Sequence, residues 1–405
     1  MNRLWKQLAI ATNWPVLAAV FLLSAVGVVS IWADAPKEAM RQAVFLVVAI
    51  VCMALFQAVN YQKIGRFAWP FYCFSLLLIL YTVVGSVVHV PGVTKRNGAY
   101  NWIAFGSFSL QPAELMKISF VLLLARYLRF RSNYRSITGL LAPFALALVP
   151  MALILKQPDL GTALIFIPAL FAMLFVAGAK IKHLLAIVGM GLATVPFLWL
   201  SGQHVIHDDA GGFDHVCQLC PSLPVLRHFP QFVKHYQRER VNAMFSSDPQ
   251  TMKAAGFQQR RAEIAFGSGG LSGKGIGNIP IGRQVPEGHN DMIFALIGEQ
   301  FGFFGAAVVL GAYIVLFTAG VEIASGTREP FGRLIALGVV SILAGQTFLN
   351  LMVATKLMPV TGVTLPFISY GGSSLIASFM AAGLLLNVGQ NRPLVMAKDA
   401  FEFGE

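Results

Sequence analysis

The sequence predicts an all-α polytopic membrane protein with about ten transmembrane helices and one large extracytoplasmic loop. Three observations carry that expectation. Of 405 residues, 56% are hydrophobic and only 12% are charged, and mean hydropathy is +0.68. A soluble domain carries about twice that share of charge, and a soluble globule needs a polar exterior that this composition does not supply. Apolar stretches of roughly 20 residues recur, the length that crosses ~30 Å of hydrocarbon. Finally, the Lys and Arg residues of the short connecting segments fall mainly on one side of the resulting topology.

Taken in order, the first span is 14–33. Arg3 and Lys6 precede a full-length apolar segment, not the short apolar region and small-residue cleavage site of a signal peptide, so no cleavable leader is expected. Spans at 41–59 and 68–88 follow, with Lys63 and Arg66 between them. The fourth, 111–128, opens with Pro112, which is tolerated at a helix start. A tight turn, Lys156-Gln157-Pro158-Asp159-Leu160-Gly161-Thr162, joins the spans 136–156 and 160–178, and turn chemistry alone accounts for its Pro, Asp and Gly. The set continues with 183–202, with 291–320, long enough to tilt, then 331–355 and 371–390. With the N-terminus in the cytoplasm, Arg126, Arg129, Arg131, Arg135, Lys180 and Lys182 lie inside, the C-terminus is also cytoplasmic, and 203–290 is outside. Residues 1–405 read as one membrane domain without an internal repeat.

The net charge of +12 points to nucleic acid in soluble proteins. Here topology explains its cytoplasmic part, and no nucleic-acid partner is expected. The outside part, including Arg238, Arg240, Arg260, Arg261 and Lys274, suits an anionic substrate or lipid headgroup; a solvated loop without a ligand is the plainer reading. Residues 231–245 have the spacing of an amphipathic helix lying on the membrane surface.

Six features bear on chemistry. VPEGHND, Val285 to Asp291, sets Glu287, His289 and Asp291 at the mouth of a helix, where an Asp either caps the helix or acts on substrate. Glu114 and Lys117, three apart, share a helix face inside a span, as a structural ion pair or as part of a cavity. The Gly-dense run Gly267 to Gly275 resembles a phosphate-binding loop but fails its pattern: Ser268 stands where the first Gly belongs, and Gly275 follows Lys274. The segment 358–374, with Pro359, Pro366 and several Gly and hydroxyl residues, must line a cavity or be buried if it lies at membrane depth; an ordinary exposed loop is the plainer reading. Gln346 and Asn350 put two amides on one face of the ninth span. Cys217 and Cys220, close to His204, His207, Asp208 and His215, admit a local disulfide or a zinc site.

In this order, NWIAFGSFSLQPAELMK, QPDLGTAL, YQRERV, IAFGSGGLSGKG, VPEGHNDMIFALIGEQFG and MPVTGVTLPFISYGGSSLIASF make the chain resemble the SEDS family (RodA, FtsW and SpoVE) of bacterial cell-wall polymerases over roughly 15–391. The resemblance implies a peptidoglycan glycosyltransferase of the cytoplasmic membrane, active in elongation or division. It would polymerise lipid II, using glycan on undecaprenyl pyrophosphate as donor. Asp291 then maps to the family's essential aspartate through Pro-Glu-x-His-(Thr/Asn)-Asp. Glu114, Lys117 and Glu299 match cavity residues, while Arg238, Arg240 and Lys274 are assigned to the headgroup, and His289 and Ser369 to the substrate. A divalent ion, Mg²⁺ or Mn²⁺, bridging Asp291 and pyrophosphate is the one cofactor this reading admits; no organic cofactor is expected. The implied partner is a class B penicillin-binding protein. A lipid II flippase and a non-enzymatic scaffold for such a protein are the competing readings. Asn101 and Arg261-Ala262 depart from the family pattern, 203–230 reads as an insertion, and QPDLGT leans towards the elongation members.

Overall fold

A computed structural model describes residues 13–391 except 89, 97–98, 107, 131–134 and 201–255. Over the described residues, each of the ten expected segments is mainly helical. The elements are α1 (Trp14–Asp34), α2 (Pro36–Ala58), a short α3 (Tyr61–Arg66), α4 (Ala68–Val84), α5 (Pro112–Phe130), α6 (Leu141–Lys156), α7 (Leu160–Ala177) and α8 (Ile181–Leu200). After the large loop come α9 (Phe257–Ser268), α10 (Ile293–Gly326), α11 (Pro330–Ala354) and α12 (Gly372–Gln390). Among the described residues, seven helices are long and apolar enough to cross a membrane, α4 and Ile181–Thr194 being shorter apolar helices. The long α5 is set apart from these by Glu114, Lys117, Arg126 and Arg129.

Burial orders the bundle. In α12, 83% of the most apolar window is buried, against 22% in α2, so α12 is the central helix and α2 a peripheral one. Small residues allow close approach: a Cβ on Gly383 of α12 would stand 2.6 Å from the Met53 carbonyl oxygen of α2. Apolar side chains such as Leu55, Leu77, Ile314 and Phe348 face outward, as a lipid surround favours.

Two features depart from a plain set of spans. The loop between α4 and α5 forms a three-stranded antiparallel sheet, β1 (Val93–Arg96), β2 (Ala99–Phe105) and β3 (Phe108–Leu110). Thr94 pairs with Trp102, and Ala104 with Ser109. Gly106, at φ +59°, makes the β2–β3 turn. The sheet is fastened to the bundle by Ser373 Oγ, which donates to the Ser109 carbonyl at 2.7 Å, and by edge-on contact of Phe45 with Phe108.

The second feature is a break in α10 at Gly302, whose φ 64° and ψ −161° are non-helical and open essentially to Gly alone. Breaking a helix frees backbone groups that must be satisfied. The Gly-dense run does so. Lys274 N donates to Glu299 O at 2.9 Å and Gly275 N to Gln300 O at 3.0 Å; Phe303 N donates to Gly270 O at 2.9 Å and Phe304 N to Leu271 O at 3.2 Å. The run is therefore a splice into a broken helix. It makes 293–301 a separate half-helix, buried at every residue from Ile293 to Gln300.

Gly302→Ala puts a Cβ 2.3 Å from Gly273 N. It should lower the unfolding free energy by about 3 kcal/mol or more, read as a drop in the thermal midpoint of the purified protein in detergent.

Candidate active site

The turn His289–Asn290–Asp291 precedes the half-helix. Met292 occupies the N-cap position of α10, so Asp291 stands one residue outside the cap. Three successive carbonyls of this turn each receive a hydrogen bond. Tyr370 N donates to His289 O at 3.0 Å, Ser369 Oγ to Asn290 O at 2.6 Å, and Asn350 Nδ2 to Asp291 O at 2.8 Å. Asn350 Nδ2 also donates to Val363 O at 2.8 Å. The segment 358–371 is thus stitched to the turn, and Asp291 Oδ2 comes within 3.8 Å of where a Cβ on Gly362 would lie. Asp291 is half-buried.

The 358–371 segment is held in its turn. Leu365 N donates to Ser369 Oγ at 2.8 Å. Gln42 of α2 donates through Nε2 to Ser369 O at 2.9 Å and accepts from Gly371 N at 3.2 Å. Gly161 packs so closely that a Cβ there would stand 2.3 Å from Val363 Cγ2. That is the tertiary reason for the Gly in the turn between α6 and α7. Asp159 caps α7 through the Thr162 N–H at 3.0 Å and accepts from Gln111 Nε2 at 3.1 Å.

One helical turn deeper on α11, Gln346 repeats the task of Asn350. Its Nε2 donates to Thr364 O at 2.9 Å, and its Oε1 accepts from Lys117 Nζ at 2.7 Å. Lys117 pairs with Glu114 at 2.8 Å, with side chains 4% and 6% exposed. Glu114, Lys117, Gln346 and Ser378 line a small cavity with room for a water-sized molecule. The two amides singled out on one face of this span therefore bind adjacent residues of the same loop, and the deeper one reaches the buried ion pair.

Glu299 and Lys274 form a second cluster. The Glu299 carboxylate is fully buried and accepts from Lys274 Nζ at 2.7 Å, from Gly282 N at 2.6 Å and from Ile281 N at 3.2 Å. Lys274 Nζ also donates to Ser268 Oγ at 2.7 Å. These two residues hold each other and the splice beneath the half-helix. Arg238, Arg240, Cys217 and Cys220 lie outside the described residues.

Sequence reading did not single out Asp34, the last residue of α1, whose Oδ2 lies 3.0 Å from His289 Nδ1. The available signal was an ionisable group at the end of a span. Burial alone would lower the imidazole pKa. The hydrogen bond and charge of Asp34, with the charges of Glu287 and Glu38, outweigh that, and His289 titrates above its ordinary value of 6.5. Among the described residues, no three His, Cys, Asp or Glu side chains come together as a metal site.

Two outcomes follow. Lys274→Ala leaves Glu299 buried without its cation and should cost about 3 kcal/mol, measured by thermal unfolding in detergent. For His289, a raised folded pKa means that folding takes up protons. Its stabilisation is complete below the ordinary pKa and lost as pH rises through the raised one. The midpoint difference between wild type and His289→Gln should be largest near pH ~6 and shrink towards pH ~9.

The family model described as "Cell cycle protein", named for FtsW, RodA and SpoVE, matches residues 4–393. The chain is similar to the probable peptidoglycan glycosyltransferase FtsW of Geobacter metallireducens, 34% identical over 357 residues, covering 86% of this chain and 84% of that one. Its fold is similar to a chain of a peptidoglycan synthase complex solved for the coordination of polymerization and crosslinking (TM-score 0.76, 30% identity, 95% of this chain and 99% of that one). It is also similar to the rod shape determining protein RodA of Thermus thermophilus (TM-score 0.65, 28% identity, 94% and 98%). The long apolar helices among the described residues and these likenesses agree: this multi-pass membrane protein belongs to the FtsW/RodA/SpoVE family.

Proposed function

We propose that this protein is a peptidoglycan glycosyltransferase that polymerises lipid II on the outer face of the bacterial cytoplasmic membrane, with both termini in the cytoplasm. The observation that carries the reading is a half-buried carboxylate, Asp291, on a turn whose three carbonyls are tied to a facing loop and to α11. Relatives named as peptidoglycan glycosyltransferases support it. A reactive group held on a fixed turn costs little reorganisation during the reaction.

The chemistry runs through that carboxylate. A sugar hydroxyl is a weak nucleophile and needs its proton removed as it attacks. Asp291 takes the proton from the 4-hydroxyl of the lipid II acceptor. The oxygen bonds to the anomeric carbon of the growing glycan, and the bond to undecaprenyl diphosphate breaks, the electron pair leaving with the phosphate. A single carboxylate suits one displacement with inversion, by analogy with glycosidases. The leaving diphosphate needs cations nearby, a task assigned to Arg238 and Arg240 of the large loop. The donor set at Asp291 fits only a divalent ion that arrives with the substrate, since Mg²⁺ takes one or two carboxylates plus phosphate oxygens. When bound, such an ion would neutralise charge on the diphosphate. Glu114 and Lys117, joined to the loop through Gln346, set the polar floor under the site. Lys274 and Glu299 act by holding the half-helix that follows Asp291.

The partner is a second cell-wall synthase, in line with the complex to which this fold is similar; a class B penicillin-binding protein, in an elongation or division assembly, is the specific form of this reading. The test is polymerisation of labelled lipid II by the purified protein with such a partner. Asp291→Asn should lower the rate at least about a hundredfold with lipid II binding retained. Equal glycan from both proteins would remove Asp291 from the chemistry. Lipid translocation without polymer from wild type would favour a flippase.

A further inference from the structure

The three carbonyls of the turn 289–291 are already held by hydrogen bonds from Tyr370, Ser369 and Asn350. A fourth contact holds only a side chain. Asp34 Oδ2 lies 3.0 Å from His289 Nδ1, joining the end of α1 to the turn. Both side chains are largely withdrawn from water, at 14% for Asp34 and 19% for His289. The ring also packs edge-on against Tyr370, with centroids 5.6 Å apart at 74°. Asp34 and Tyr370 thus hold the imidazole from two sides. Its Nδ1 is engaged, and among the described residues its Nε2 makes no hydrogen bond.

We propose that Asp34 is a positioning residue for the glycosyl transfer: it orients His289 so that Nε2, on the same turn as Asp291, meets the polar headgroup of the substrate. The inference rests on the glycosyltransferase reading above. Its physical basis is division of labour. With the carbonyls of 289, 290 and 291 anchored elsewhere, the Asp34 contact adds little to the path of the chain and fixes instead which nitrogen the ring offers. A carboxylate on one imidazole nitrogen is a common way to set ring orientation and the role of the other.

The experiment uses the full chain with its class B partner and labelled lipid II. It compares Asp34→Ala, His289→Gln, the double variant, Asp34→Asn and Asp291→Asn, with the thermal midpoint of each recorded. Asp34→Ala and His289→Gln should each lower kcat/KM about tenfold to a hundredfold, the range for loss of an orienting partner. The double variant should be no slower than the slower single one, because both remove the same contact. Asp34→Asn keeps an oxygen acceptor and should stay within about threefold of wild type, a rescue that loss of folded protein would not mimic. Losses that multiply in the double variant, an Asp34→Asn as slow as Asp34→Ala, or a slowing that only tracks the thermal midpoint would each overturn the inference. Asp291→Asn separates the two levels. If it is active, the reaction reading fails. If it is inactive while the Asp34 and His289 losses multiply, only this inference fails.

Discussion

Backbone that leaves helical geometry within a membrane bundle must find its hydrogen bonds inside the protein, and the turn 289–291 and the loop 358–371 are organised by that requirement. Asn350 and Gln346, one turn apart on α11, bind the carbonyls of Val363 and Thr364. Asn350 reaches on to Asp291 O. Ser369 serves twice, accepting from Leu365 N and donating to Asn290 O, while Gln42 closes the far end of the loop. Polar side chains on rigid spans thereby replace the ladder that a helix or sheet would have supplied. The same bonds that make the irregular loop tolerable fix the carboxylate-bearing turn.

The buried charges obey a parallel rule. An isolated ion at this depth is expensive, and among the described residues the buried Glu114, Lys117 and Glu299 each have a partner at hydrogen-bond distance. Glu114 and Lys117 sit on one helix face and extend through Gln346 to the loop. Glu299, with no exposure, gathers one ammonium and two backbone N–H groups. Breaking α10 at Gly302 frees the carbonyls of Glu299 and Gln300, which the Gly-dense run then takes up. Charge pairing and backbone satisfaction converge on the half-helix behind Asp291. Its geometry therefore depends on residues far from it in sequence, such as Lys274 and Gly273.

Much of this was legible in the chain itself. Ten apolar segments, their boundaries within a few residues, and the Glu114–Lys117 pair follow from hydropathy and helical period, which are local properties. Gln346 and Asn350 were identifiable as a pair because helix geometry puts i and i+4 on one face. The β1–β3 sheet was not, since three short strands with a mixed pattern are stabilised by pairing with one another and by Ser373 and Phe45 from other elements. The Gly-dense run was recognisable as unusual, but its use as a splice depends on a break some thirty residues later.

Composition, spacing and motif order by themselves determined that this is a multi-span membrane protein, that Asp291 stands at the mouth of a helix, and that Glu114 shares a face with Lys117. Only the tertiary structure decided that Met292 takes the N-cap position, that Lys274 pairs with Glu299, and that Asp34 holds His289 across 255 residues of chain. The reason is physical. Span formation and i, i+3 or i, i+4 pairing depend on nearby residues and the bilayer, whereas a buried polar group takes whichever partner the packed bundle brings within about 3 Å.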